Sequence, residues 1–170
     1  MATPEEKSRL IIDKMLRDAG WVIQDMKQFN PGAATGIAVR EFQTSTGPAD
    51  YVLFVDRKPV GIIEAKKAGA IPTTFEAQSN RYSQSNLKYA NVSDLPFVYE
   101  STGIETRFTD KRDPVPRSRE LFSFLQPETL QDLLRQSEPL RARVKKMPPL
   151  DPSGLRKCQE RAIKNLEVSF

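Results

Sequence analysis

The chain has 170 residues, 38% of them hydrophobic and 28% charged, with a net charge of +4, enough for one ordinary domain with a sizeable core and short appended elements. It contains no histidine and a single cysteine, Cys158, which excludes Ser-His-Asp hydrolysis, Cys-His proteolysis, histidine-ligated zinc and an intramolecular disulfide together. Carboxylates, lysine and a hard metal ion remain as catalytic tools, and no apolar run of about 18 residues offers a membrane span.

The N-terminus, MATPEEKSRL, carries acidic residues where an export signal needs a basic and then an apolar region, which argues against export, and the lone Cys158 fits a reducing cytoplasm. Thr3-Pro4-Glu5-Glu6 instead makes a helix start, with Thr3 as cap, Pro4 at the first helical position and Glu6 closing a capping box. A helix is predicted from Pro4 to Ala19. Leu10, Ile11, Met15 and Leu16, with Ile12 and Ala19 beside them, form its apolar stripe, and Gly20 is the expected stop.

Trp21-Val22-Ile23 begins a short extended segment. Residues 30–36, NPGAATG, form a turn-rich loop, and residues 37–43 read as a strand. Ser45 to Pro48 turns the chain. Residues 51–55 and 60–65 are apolar runs joined by Asp56-Arg57-Lys58-Pro59, a hairpin signal, and their unbroken apolarity predicts cover on both faces. Thr73-Thr74-Phe75-Glu76 opens a second predicted helix, from Thr74 to Tyr89. Residues 97–101, 107–109 and 121–125 read as strands, and Pro127 with Glu128 starts a helix carrying Leu130, Leu133 and Leu134. Residues 137–154, rich in Arg, Lys and Pro, read as a linker or surface arm, and residues 155–170 have helical spacing.

The chemistry concentrates in PADYVLFVDRKPVGIIEAK, Pro48 to Lys66. Asp50 and Glu64, delivered from neighbouring strands, can hold Mg²⁺ through oxygen ligands with water in the remaining positions. Lys66 shares a strand face with Glu64 and can orient water or stabilise an anionic transition state. A two-residue loop at Arg57-Lys58 would put Asp50 opposite Ala65 and away from Glu64, so the metal site requires an odd-length loop, a bulge or a bent strand end. The structural alternative is that Asp50 ends a turn and Glu64 with Lys66 makes a surface ion pair. Charge closing an apolar run is costly unless it binds something.

These residues resemble the PD-(D/E)xK nuclease superfamily, and specifically the N-terminal nuclease domain of the motor subunit of type I restriction enzymes. Pro48-Ala49-Asp50-Tyr51 and Ile63-Glu64-Ala65-Lys66 match its two core motifs, with Ala49 intervening between Pro48 and Asp50. Gln78-Ser79-Asn80-Arg81-Tyr82 matches the QxxxY motif shared with RecB-type nucleases. Gln78 and Tyr82 lie one helical turn apart, so an amide and a phenol share one face suited to DNA. Ser101-Thr102-Gly103 and residues 117–122 are also similar to family stretches. Residues 155–163, LRKCQERAI, are similar to the Q-motif opening superfamily 2 helicase motors, where Gln159 would read adenine. No GxxxxGK[ST] loop is present, so ATP would be bound only by a longer subunit.

The resemblance implies an α/β, restriction-endonuclease-like mixed sheet flanked by helices over residues 1–136, a linker over 137–154 and the start of a motor over 155–170. It implies Mg²⁺-dependent cleavage of double-stranded DNA, with Asp50 and Glu64 as metal ligands, Lys66 as the third catalytic group and Gln78 and Tyr82 positioning DNA. Glu6 could add a carboxylate, although capping suffices to explain it. Methyltransferase and specificity subunits are the implied partners, and no membrane is involved. Two rival readings are a non-catalytic DNA-binding or subunit-coupling domain that keeps the nuclease fold, and a recombination nuclease or junction resolvase.

Overall fold

The structure, a computed structural model, describes residues 4–44, 47–66, 95–148 and 150–169. The predicted helix over Thr74 to Tyr89 and the Thr3 cap lie outside the described residues. Among those residues seven strands form one mixed sheet in the order of the chain: β1 (Val22–Asp25), β2 (Gly36–Thr44), β3 (Gly47–Val55), β4 (Lys58–Ala65), β5 (Phe97–Ser101), β6 (Thr106–Asp110) and β7 (Arg119–Leu121). The pairs β1–β2 and β4–β5 are parallel and the other four antiparallel. The helices are α1 (Pro4–Asp18), α2 (Pro127–Arg135), α3 (Leu140–Val144) and α4 (Lys157–Ser169). No described helix is long and apolar enough to cross a membrane.

Helix α1 ends as its sequence requires. Gly20 takes φ 88°, its N–H bonds the Arg17 carbonyl at 2.9 Å and the Trp21 N–H bonds the Leu16 carbonyl at 3.0 Å, the paired bonds of a Schellman stop. The buried face of α1 is rotated from the expected apolar stripe. Ile12, Leu16 and Ala19 are buried together with Ser8 and Asp13, whereas Leu10 and Ile11 are exposed at 64% and 43%. Asp13 can lie inward because it is paired with Arg40 and Tyr51, which offsets the cost of taking a carboxylate out of water.

Two hydrophobic clusters cover the two faces of the sheet. One joins Ile12 and Leu16 of α1 and Leu130 of α2 to Tyr51, Leu53, Val55, Ile63, Tyr99 and Phe108. The other joins Val39, Phe42, Val52, Phe54, Ile62 and Val98, with Phe29 from the β1–β2 connection packed against them. All five residues Tyr51 to Val55 are buried, so the hairpin is covered on both faces as its unbroken apolarity demands. Burying a large apolar side chain contributes roughly 1.5–3 kcal/mol, so this central strand is a main source of stability.

Local boundaries differ from expectation in four places. The hairpin turn is Asp56-Arg57 alone, with Pro59 already in β4, because φ of 47° and 67° at the two turn residues makes the tight two-residue turn whose twist suits paired strands. Pro48 belongs to β3. β7 is Arg119–Leu121 and not residues 121–125; Phe124 is buried in the core from outside the sheet, and the Leu125 carbonyl accepts the Trp21 indole N–H at 2.9 Å. Helix α3 lies within residues 137–154.

Candidate active site

The β3–β4 ladder carries the irregularity that the carboxylate spacing required. Next to the turn Val55 pairs with Lys58 and Phe54 with Pro59; the register then shifts, and Leu53, Val52 and Tyr51 pair with Gly61, Ile62 and Ile63. Val60 is the residue left over. Without this bulge Asp50 would continue the ladder opposite Ile63, on the strand face away from Glu64. With it, the next step beyond Tyr51 and Ile63 is Asp50 and Glu64.

A second irregularity lies between β2 and β3. Arg40 pairs with Tyr51 and Phe42 with Ala49, while Glu41 and Asp50 between them are missing from the ladder, and Glu41 has φ 49°. Ala49 therefore packs in one cluster and Tyr51 in the other, although residues two apart share a face in a regular strand. Asp50 sits at this break, free to reach beyond the sheet plane.

Its carboxylate makes two contacts. Oδ2 accepts the Ala65 N–H at 2.9 Å, which ties Asp50 to the Glu64-Ala65-Lys66 segment. Oδ1 accepts the Arg9 guanidinium of α1 at 2.6 Å, and the other arm of Arg9 bonds Glu41 Oε1 at 3.0 Å. Burial works against the charge on Arg9, but the charges and hydrogen bonds of Asp50 and Glu41 outweigh it and raise its pKa above the ordinary guanidinium value. The Lys66 ammonium donates to Glu64 Oε1 at 2.7 Å, with the side chains 21% and 16% exposed. Glu64 Oε2 is buried and has no hydrogen-bond partner among the described residues. The Lys66 N–H bonds the Ser101 carbonyl at 2.7 Å, so the end of β4 is held against β5.

A cleft of about 490 Å³ opens beside Asp50, lined by Glu6, Arg9, Leu10, Asp13, Asp25, Arg40, Glu41, Asp50 and Tyr51. Five carboxylates against two guanidiniums favour a cation over a nucleic acid phosphate at its floor. The two arginines are both engaged: Arg40 grips Asp13 with two nitrogens and reaches Asp25 Oδ1 at 3.2 Å. The Tyr51 hydroxyl donates to Asp13 Oδ1 at 2.9 Å, with the Arg9 carbonyl 3.3 Å away. Burial first, then the charge and hydrogen bond of Asp13, raise the Tyr51 pKa above that of an ordinary phenol.

The structure thus brings Asp50, Glu64 and Lys66 onto neighbouring strand ends and lines the adjacent cleft with Glu6. Gln78 and Tyr82 lie outside the described residues. Gln159 is exposed at the start of α4, where its Oε1 accepts the Arg156 N–H at 2.9 Å. No group of three or more acidic, histidine or cysteine residues able to hold a metal occurs among the described residues. Magnesium is commonly held by one or two carboxylates with water and substrate completing its shell, and Asp50 and Glu64 supply oxygen donors of the kind it takes. Arg9 and Glu41 went unread in the sequence. The available signal was Arg9 one turn after Glu6 on the side of α1 that also carries Asp13.

Residues 23–102 match the family model described as the second domain of the type I restriction enzyme EcoKI endonuclease subunit. Over 220 aligned residues the chain is 28% identical to the type I restriction enzyme EcoKI endonuclease subunit of Escherichia coli (strain K12), covering 98% of this chain and 19% of that subunit. The chain is thus similar in sequence to a type I restriction endonuclease subunit. It spans about a fifth of that relative's length, and the matched family segment runs from β1 to the residue after β5, including Asp50, Glu64 and Lys66. A fragment described as an HsdR subunit of a type I restriction enzyme from Vibrio vulnificus YJ016 aligns at a TM-score of 0.48 and 20% identity, over 77% of this chain and 25% of that one.

Proposed function

We propose that this chain is the metal-dependent endonuclease domain of a type I restriction enzyme motor subunit, hydrolysing phosphodiester bonds of double-stranded DNA. The bulge at Val60 is the observation that carries this reading, because it sets Asp50 beside the Glu64-Ala65-Lys66 segment and lets its Oδ2 bond the Ala65 amide. Asp50 and Glu64 would hold the ion, with Glu64 Oε2 as the acceptor that has no hydrogen-bond partner among the described residues. When bound, Mg²⁺ supplies Lewis acidity toward a phosphodiester oxygen and toward water. Lys66 holds Glu64 in orientation through its ion pair, and its ammonium would stabilise negative charge developing at the reacting phosphate. Gln78 and Tyr82 would position DNA, and Glu6 would add a carboxylate at the cleft rim.

In the longer subunit, translocation would be driven by ATP in a motor beginning near Gln159, with methyltransferase and specificity subunits choosing the site in a reducing cytoplasm. A second reading, a non-catalytic DNA-binding or subunit-coupling domain, is favoured by one observation. Arg9 and Lys66 already neutralise Asp50 and Glu64, as they would in a purely structural network.

Nicking of supercoiled plasmid with Mg²⁺ separates the two. Asp50→Ala, Glu64→Ala and Lys66→Ala should each lose about 10²-fold or more, the scale expected when a group acting on transition-state charge is removed, whereas Lys58→Gln at the exposed start of β4 should match the wild type. Equal rates in all variants would refute the site. If the wild type is silent alone, the same substitutions in the assembled restriction complex decide.

A further inference from the structure

Arg9 occupies the position where a cation would meet Asp50. Its Nη2 lies 2.6 Å from Asp50 Oδ1 while its Nη1 lies 3.0 Å from Glu41 Oε1. Both carboxylates are the residues that drop out of the β2–β3 ladder, so one guanidinium spans the break. The two partners are unequal in setting. The Asp50 side chain is 21% exposed and faces the segment carrying Glu64, whereas Glu41 is 68% exposed. The backbone of Arg9 is anchored independently of its head group, because it lies within α1, whose Ile12 and Leu16 are buried in the core. The head group can therefore leave Asp50 without moving α1.

We propose that Arg9 is the resident counter-cation of Asp50, that an incoming divalent ion displaces it, and that Glu41 receives it. This rests on the metal-dependent reading above and adds to it a residue that opposes metal entry. A divalent ion and a guanidinium on the same carboxylate repel each other at contact range. Removing the guanidinium therefore tightens metal binding, whereas an Arg9 that merely held Asp50 in place would weaken binding on removal. Glu41 acts through Arg9: with Arg9 present it lowers the cost of displacement, and without Arg9 that role vanishes. An arginine suits this exchange because its fork can give up one carboxylate while retaining the other.

The test is a Mn²⁺ titration of the full chain, reading free Mn²⁺ by electron paramagnetic resonance, with circular dichroism confirming that each variant is folded. Arg9→Gln should bind roughly tenfold tighter than the wild type, on the scale of one partly screened contact charge. Arg17→Gln, with the same change in net charge further along α1, should leave binding within about twofold. Glu41→Gln should weaken binding severalfold in the wild type and have no effect in the Arg9→Gln background, the pattern of a coupled pair. Unchanged or weaker binding in Arg9→Gln, or equal tightening in Arg17→Gln, overturns displacement. Should Arg9→Gln unfold, the exposed Glu41→Gln decides, and binding equal to the wild type overturns the proposal. Asp50→Asn distinguishes the deeper failure, since binding equal to the wild type there would refute the metal site itself.

Discussion

The two ends of the β3–β4 hairpin both carry acidic and basic side chains, and they use them in opposite ways. At the turn end Asp56, Arg57 and Lys58 are exposed, where water serves them and an ion pair is worth little. At the open end Asp50, Glu64 and Lys66 are 21%, 16% and 21% exposed, and their contacts are internal. The turn end sets the geometry of the hairpin; the open end exploits it. One residue of bulge, Val60, links the two by converting a tight turn into a register that brings Asp50 alongside Glu64.

If that division is correct, damage near the turn should cost stability without touching the cation site. Gly36 pairs with Val55 next to the turn, and a Cβ there would overlap both Cγ and Cβ of Pro127. The proline ring has no rotamer that escapes this overlap. Gly36→Ala should therefore destabilise by about 2–3 kcal/mol, as overpacking of a filled core does, measured by urea unfolding. Mn²⁺ affinity of the folded fraction should stay at the wild-type value. A loss of affinity would show the two ends to be coupled.

The same contrast explains what the sequence disclosed. Apolar runs, Gly20 and Pro127 speak through backbone conformation and burial, so the end of α1, the hairpin and the start of α2 were legible, while the mixed sheet came from the family resemblance. The spacing of Asp50, Glu64 and Lys66 called for an odd-length loop, a bulge or a bent strand end, without choosing the bulge at Val60 among them. The inward face of α1 was misread because Ser8 and Asp13 are buried there, and hydrophobic periodicity cannot register a carboxylate whose burial is offset by Arg40 and Tyr51. The bridge of Arg9 to Glu41 was illegible for a related reason. It depends on a break in β2 at which Glu41, neither glycine nor asparagine, adopts a positive φ.

A smaller effect tests the polar anchoring of the open end. Tyr51→Phe removes the hydroxyl that bonds Asp13 while leaving Arg40 in place, and should cost about 1 kcal/mol, the usual net value of such a bond. The pH dependence has a definite sign. Because burial and Asp13 raise the folded-state pKa of Tyr51 above the ordinary phenol value of 10.0, both states hold the proton below about pH 10 and the contribution is fully present. Above that the unfolded chain releases the proton while the folded one keeps it, so this contribution falls as pH rises. Tyr51→Phe should lack that component of the alkaline decline, seen in denaturant melts between neutral and alkaline pH.

The smallest effect should be a gain, and it lies at the turn. Asp56 and Arg57 both hold positive φ, 47° and 67°, a conformation in which a side chain beyond glycine, asparagine or aspartate is disfavoured. Asp56 fits this preference and also accepts the Gln131 amide; Arg57 makes the turn at a cost. Arg57→Gly gives the Asp-Gly pair favoured in such turns. Relief of steric strain should outweigh the added freedom of the unfolded chain, giving a net stabilisation of about 0.5–1 kcal/mol. Raised thermal stability with unchanged Mn²⁺ affinity would keep the two ends separate. A stabilising Arg57→Gly that also altered Mn²⁺ affinity would mean that turn strain is transmitted through Val60 to Asp50, making the bulge a spring instead of a fixed spacer.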